Sequence, residues 1–244
     1  MWGGWSRAGW GLLWVCCSVA VWAQAPRVQA FPEGAPYPFV VATQHDSLLE
    51  GGAPILLFLH GRSLSGTQLE LVQRYGVIDA MKRGSRVPAL VVAPQLKKGE
   101  SWDPQRVAGL LDWVENRYKT DPDRVYVVGM SLGGYGTMDV AGAYPERFAA
   151  AIAICGGGQL KYACGLAQTR LWIQHGTRDV HVPHSESEKM YEAIKACNPE
   201  AQCELTLFPQ YDHGKIAREF YNPQLYEWLW KHNRESKVVI GEME

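Results

Sequence analysis

A run of four apolar residues, Val125-Tyr126-Val127-Val128, leads straight into Gly129-Met130-Ser131-Leu132-Gly133, and a helical stretch follows with no linker. Few folds accept that junction. A strand that turns directly into a helix strains the backbone at the corner, and the two elements approach so closely that only glycine fits beside it. A serine with glycine two residues to either side, at the end of a strand, is the sequence form of a nucleophile elbow. The helix that begins there turns its N-terminal dipole toward negative charge developing nearby.

Strand and helix signals alternate along the rest of the chain, which predicts an α/β fold with a mostly parallel central sheet and helices on both faces. The expected strands are Ile55–Leu59, Ala89–Ala93, Val125–Val128, Ala150–Ile154, Leu171–Gln174 and Glu204–Phe208, with Phe39–Thr43 as a further N-terminal one. Helices are expected near Gln68–Lys82, Gln105–Tyr118, Leu132–Tyr144, Ser185–Ala196 and Pro223–Lys231. Pro104, Pro183 and Pro223 stand near helix starts, where a missing N–H costs little. The Pro-rich stretch Phe31–Pro38 reads as an extended linker.

Arg7, the apolar stretch Gly11–Trp22 and then Ala23-Gln24-Ala25 have the form of a secretory leader with a small-x-small cleavage site. Residues 1–25 are therefore expected to be a signal peptide, with a retained anchor as the alternative, and 26–244 a single catalytic domain. Secretion or periplasmic export follows, without stable membrane insertion of the mature chain. The formal net charge of -1 supplies no basic field for nucleic acid. Of six cysteines, four lie beyond the leader; in an exported protein they suggest two short disulfide loops, Cys155–Cys164 and Cys197–Cys203, with other pairings open.

A serine at an elbow needs a base, an acid and an oxyanion hole. The acid belongs in a loop past the end of a later strand, and His175-Gly176-Thr177-Arg178-Asp179 supplies Asp179 there. The base belongs after the last strand, where Phe208-Pro209-Gln210-Tyr211-Asp212-His213 supplies His213. Ser131, Asp179 and His213 then follow the chain order serine, acid, histidine. Two backbone N–H groups complete the site: Leu132, directly after the serine, and Arg62, in the turn His60-Gly61-Arg62-Ser63. His60 is expected to brace that turn. His175, His181 and His184 with Asp179 are all metal-ligand types, but the triad order already accounts for the aspartate, so no metal and no cofactor is expected.

Longer stretches carry a resemblance: Phe58-Leu59-His60-Gly61, Ser101-Trp102-Asp103-Pro104, Thr120–Tyr126, Gly129–Thr137, Tyr144–Phe148, Ile154–Gly158 and Asn222–Leu229. Through them, nearly all of Pro54 to His232 resembles secreted single-domain α/β-hydrolases of the phospholipase/carboxylesterase-like (predicted peptidase) group. That group is related to feruloyl and acetylxylan esterases and to poly(hydroxyalkanoate) depolymerases. The resemblance implies the same triad and implies that Trp102 borders the substrate cleft. One departure is Asp212-His213-Gly214-Lys215-Ile216, where the group usually has glycine before the histidine and a tryptophan shortly after it.

The resulting expectation is a serine esterase that works through an acyl-enzyme on a small-molecule or polysaccharide-linked ester. The alternatives are a serine peptidase of the prolyl-oligopeptidase-like type, since the same constellation cleaves amides, and a non-catalytic binding protein on the same fold.

Overall fold

The computed structural model describes residues 25–45 and 51–234, so the expected leader lies outside them except for Ala25. Eight strands form one sheet: β1 (Arg27–Phe31), β2 (Phe39–Thr43), β3 (Ala53–Leu59), β4 (Leu90–Pro94), β5 (Thr120–Met130), β6 (Ala150–Ile154), β7 (Leu171–Gly176) and β8 (Cys203–Phe208). Their order across the sheet is β1-β2-β4-β3-β5-β6-β7-β8. The last six in that order run parallel, and β1 and β2 pair antiparallel at one edge. The α-helices are α1 (Val77–Lys82), α2 (Pro104–Glu115), α3 (Leu132–Ala143), α4 (Ala163–Leu166), α5 (Ser185–Cys197) and α6 (Pro223–Trp230).

The central strands are apolar on both faces because both faces are covered. Ile55, Leu57, Leu59, Val127, Ala153 and Ile173 point to one side and pack with α2, α3 and α5. Leu56, Phe58, Tyr126, Val128, Ile152 and Ile154 point to the other and pack with α1 and α6. Successive side chains of a strand face opposite ways, so a continuous apolar run serves both layers at once. Each such Leu, Ile, Val or Phe contributes about 1.5–3 kcal/mol relative to exposure. Local signals end the helices where expected. Asp103 caps α2 by accepting the Arg106 N–H at 2.7 Å, and Asn222 caps α6 through the Gln224 N–H at 3.1 Å, each with proline at the first helical position.

Three expectations need correction. The stretch Gln68–Lys82 is not one helix: a 3-10 segment, Leu69–Gln73, is separated from α1 by Gly76 at φ 84°. A Cβ on Gly76 would run into the Phe58 ring, so the break is where the chain comes down on the core. The second correction concerns β1, which takes in Phe31, read from the sequence as the start of a linker. Its residues Arg27–Ala30 are exposed on both faces, so the strand shows no apolar alternation.

The third concerns the cysteines. The disulfide is Cys164–Cys197, with Cα atoms 5.1 Å apart, while Cys155 and Cys203 are free and buried. Cys164 lies in the short α4, which packs against α5, and Cys197 is the last residue of α5. Helix docking joins cysteines 33 residues apart, whereas Cys155 follows β6 in the middle of the sheet and Cys203 opens β8 in the core.

Candidate active site

The C-terminal ends of the parallel strands carry the site. Ser131 follows β5 with φ 58° and ψ -122°, left-handed backbone that a serine enters at a cost of about 1–3 kcal/mol. Its N–H donates to the Ile154 carbonyl at 2.8 Å, and the Tyr135 N–H returns to the Ser131 carbonyl at 3.0 Å to start α3. The flanking glycines are required by close approach. A Cβ on Gly133 would collide with the Leu59 carbonyl, and one on Gly129 with the Gly133 carbonyl.

Asp179 and His213 arrive from two neighbouring strand ends. The Thr177 N–H donates to the Phe208 carbonyl at 3.1 Å and the Arg178 N–H to the Tyr211 carbonyl at 2.9 Å, which ties the loop after β7 to the loop after β8. Asp179 Oδ1 accepts the N–H groups of His181 and Val182, both at 2.9 Å, and Oδ2 accepts from His213 Nδ1 at 2.6 Å. Burial by itself would raise the carboxyl's proton affinity. The donors from Val182, His213 and His181 outweigh it and hold the pKa below the ordinary aspartate value.

Because a carboxylate only accepts, His213 carries a hydrogen on Nδ1, and in the neutral ring the Nε2 lone pair is the free one. Among the described residues, Ser131 Oγ makes no hydrogen bond to that nitrogen. Nucleophile–base bonds often close only when substrate is in place. The His181 ring stands edge-on to His213, with centroids 5.3 Å apart.

The turn after β3 lies against the serine: the Cβ position of Gly61 is 3.3 Å from Ser131 Cβ. Arg62 begins a 3-10 turn, Arg62–Leu64, and Leu132 begins α3, so the N–H of each is a first-turn donor with no carbonyl of its own helix to meet. His60 braces this turn. Its Nδ1–H donates to the Gly61 carbonyl at 2.7 Å and its Nε2 accepts the Leu96 N–H at 3.1 Å, which fixes a neutral tautomer. Burial pushes its pKa down to about 4. Tyr75 adds a hydroxyl that accepts the Gly61 N–H at 2.8 Å. Nothing in the sequence pointed to Tyr75, which fell inside an expected helix.

Trp102 lies deeper than expected. It is 6% exposed, its indole N–H donates to the His60 carbonyl at 3.2 Å, and its ring packs on Gly136 and Tyr37. It supports the turn after β3 from within the core.

A model of the dienelactone hydrolase family matches residues 90–232, more than half of the sequence. The chain belongs to the dienelactone hydrolase family. Acetylxylan esterase A of Emericella nidulans is 29% identical over 117 residues, covering 43% of this chain and 38% of that protein. Poly(3-hydroxyalkanoate) depolymerase C of Paucimonas lemoignei is 28% identical over 138 residues, covering 50% of this chain and 31% of that protein. The matched segments thus span well under half the length of either relative. Among solved structures, a thermostable esterase superposes with a TM-score of 0.74 at 26% identity, over 86% of this chain and 63% of its own. The feruloyl esterase module from Clostridium thermocellum superposes with a TM-score of 0.64 at 16% identity, over 83% of this chain and 88% of its own, a likeness of fold. The sheet is that of an α/β-hydrolase, as in other members of the dienelactone hydrolase family.

Cys155, His175 and Asp179 bring metal-ligand atoms within 4.8 Å of one another, all buried. Each of the three side chains already has a protein partner: Cys155 with Asp179, His175 with Val182 and Ser187, Asp179 with His213. His184 pairs instead with Glu188 at 3.7 Å, and His181 faces His213, so of the four residues noted in the sequence only His175 and Asp179 come together.

Proposed function

We propose that the protein hydrolyses carboxylic esters through an acyl-enzyme. Ser131 Oγ attacks the ester carbonyl while His213 Nε2 takes its proton, and the N–H groups of Leu132 and Arg62 receive the oxyanion. The C–O bond to the alcohol then breaks and His213 returns the proton to the leaving oxygen. Water, deprotonated by His213, attacks the acyl carbon; the bond to Ser131 Oγ breaks, His213 returns the proton to Oγ, and the acid is released. Asp179 keeps the imidazole in its Nδ1–H tautomer and stabilises the imidazolium formed on the way.

The observation that carries this reading is the 2.6 Å bond from His213 to a fully buried carboxylate, at the C-terminal strand ends where Ser131 sits in left-handed backbone. Membership of the dienelactone hydrolase family and similarity to ester hydrolases support the same chemistry. A small-molecule or polysaccharide-linked ester is the proposed substrate. Export is proposed as well, since the Cys164–Cys197 disulfide suits an oxidising compartment; among the described residues no helix is long and apolar enough to cross a membrane.

The test is a panel of acetyl, feruloyl and simple alkyl esters, with peptidyl amides alongside, on wild type and Ser131→Ala. Ester turnover in wild type and a loss of a thousandfold or more, to order of magnitude, in the variant is expected. Equal rates in the two proteins would overturn the assignment, and preferential amide cleavage would move it to peptide substrates.

A further inference from the structure

A second histidine faces the proposed catalytic acid. His175 Nε2 is 3.4 Å from Asp179 Oδ2, and both side chains are sealed from solvent. The same nitrogen is 2.9 Å from the Val182 carbonyl, and Nδ1 is 2.7 Å from Ser187 Oγ. Ser187 Oγ in turn lies 2.6 Å from the Gly156 carbonyl.

Counting hydrogens in this chain decides its charge. A carbonyl or carboxylate oxygen only accepts, and a serine hydroxyl carries a single hydrogen. With a neutral ring protonated on Nε2, the Val182 contact is a bond, but Ser187 has one hydrogen for two acceptors, Nδ1 and the Gly156 oxygen. With a neutral ring protonated on Nδ1, Ser187 and Gly156 are satisfied, and the Nε2 lone pair faces the oxygens of Val182 and Asp179. Either neutral form is one hydrogen short, inside a core where an unmade polar contact is costly.

We propose that His175 is held as an imidazolium, donating from Nε2 to Val182 and from Nδ1 to Ser187, and that it is a positioning residue for Asp179. Its charge stands 3.4 Å from Oδ2, the same oxygen that accepts from His213, and keeps the carboxylate ionised. Ser187, on α5, and Gly156, after β6, carry the far end of the chain and so join three elements to the acid loop. Burial opposes this charge. Burial first, and the nearby His184 after it, pull the ring's pKa below its ordinary value, while the Val182 carbonyl and Asp179 pull it up. What holds the charge against burial is the Nδ1 bond to Ser187, whose own hydrogen is committed to the Gly156 carbonyl.

The other ionisable groups around the ring are few. Cys155, after β6, has its thiol pushed up by burial and stays protonated, as a donor to Asp179. His184, at the start of α5, opposes a charge on His175, and Asp179 favours it. His213 bonds the same Asp179 oxygen, Oδ2, that His175 faces.

The protonation state is read directly by ring-nitrogen NMR on isotopically labelled protein, with the His175 signals assigned from a His175→Gln variant or from contacts to Ser187. Two protonated ring nitrogens at neutral pH are expected, and a single neutral tautomer would overturn the proposal. This readout needs no enzymatic turnover, so it stands apart from the fate of the esterase reading. Ser187→Ala removes the Nδ1 acceptor and should return the ring to its neutral Nε2–H form. Loss of that nearby positive charge should then move the acid limb of kcat/KM up by about one pH unit. If the ring becomes neutral and the limb does not move, His175 does not position the acid. Should Ser187→Ala fail to fold, the wild-type spectrum decides alone.

Discussion

His213 Nδ1 and Asp179 Oδ2 are 2.6 Å apart, with the carboxylate fully enclosed and the imidazole 20% exposed. The two residues come from different strand ends, 34 positions apart in sequence, and the pair holds together because backbone bonds lock their loops side by side. In the proposed mechanism the enclosed partner sets orientation, and the partly exposed one meets substrate.

Asp179→Asn should preserve the fold and lower kcat on esters by about four orders of magnitude, because an amide can present its N–H to Nδ1 and select the wrong tautomer. The native carboxyl has a depressed pKa, so its stabilisation is complete above the ordinary aspartate value of about 4 and fades as pH falls through the depressed one. Calorimetry across pH should therefore show the gap in Tm between wild type and variant closing below about pH 4. A gap that widens in acid would contradict the assignment.

His60 gives a second acid sensitivity at a higher pH. Its pKa falls from 6.5 to about 4 on folding. The unfolded chain thus binds the proton first, and stability declines as pH drops from about 6.5 toward about 4. Denaturant titrations of His60→Gln should show a flatter decline over that window and lower stability at neutral pH. An unchanged slope would mean the imidazole is not held neutral.

Gly133→Ala places a methyl against the Leu59 carbonyl, which is backbone and cannot swing away. Overpacking of this kind costs about 1–3 kcal/mol, which for a domain of this size lowers Tm by roughly 2–12 °C. Ester turnover should fall as well, since the first turn of α3 carries the Leu132 N–H. Full activity and unchanged melting would show that the elbow is looser than its geometry.

The Cys164–Cys197 bridge closes a loop of 33 residues in sequence separation. Removing it with Cys164→Ala should cost about 3–4 kcal/mol, less if the unfolded chain keeps structure. Neither sulfur touches the site, so the folded variant should retain its kcat. Peptide mapping of the oxidised protein should recover Cys164 joined to Cys197, with Cys155 and Cys203 unmodified until unfolding.

Much of this molecule was readable along the chain because its signals are local. The apolar runs at Ile55–Leu59, Val125–Val128 and Ala150–Ile154 bury both faces, and each became a central parallel strand. The glycines at 129 and 133 state how close the strand and helix come, and proline with Asp103 or Asn222 announces a helix start. The strand-end positions of Ser131, Asp179 and His213 follow from where those strands stop. Tertiary structure decided what depends on contacts between distant elements. Gly76 breaks an amphipathic stretch because the Phe58 ring lies beneath it, and Trp102 is drawn inward by Gly136 and the His60 carbonyl. Cys164 finds Cys197 rather than its neighbour in sequence because α4 docks on α5. The bonds from His175 to Ser187 and onward to Gly156 span three elements, and no spacing in the chain encodes them. Periodicity and turn chemistry are properties of a few consecutive residues, whereas pairings and proton counts exist only once the sheet has brought its strand ends together.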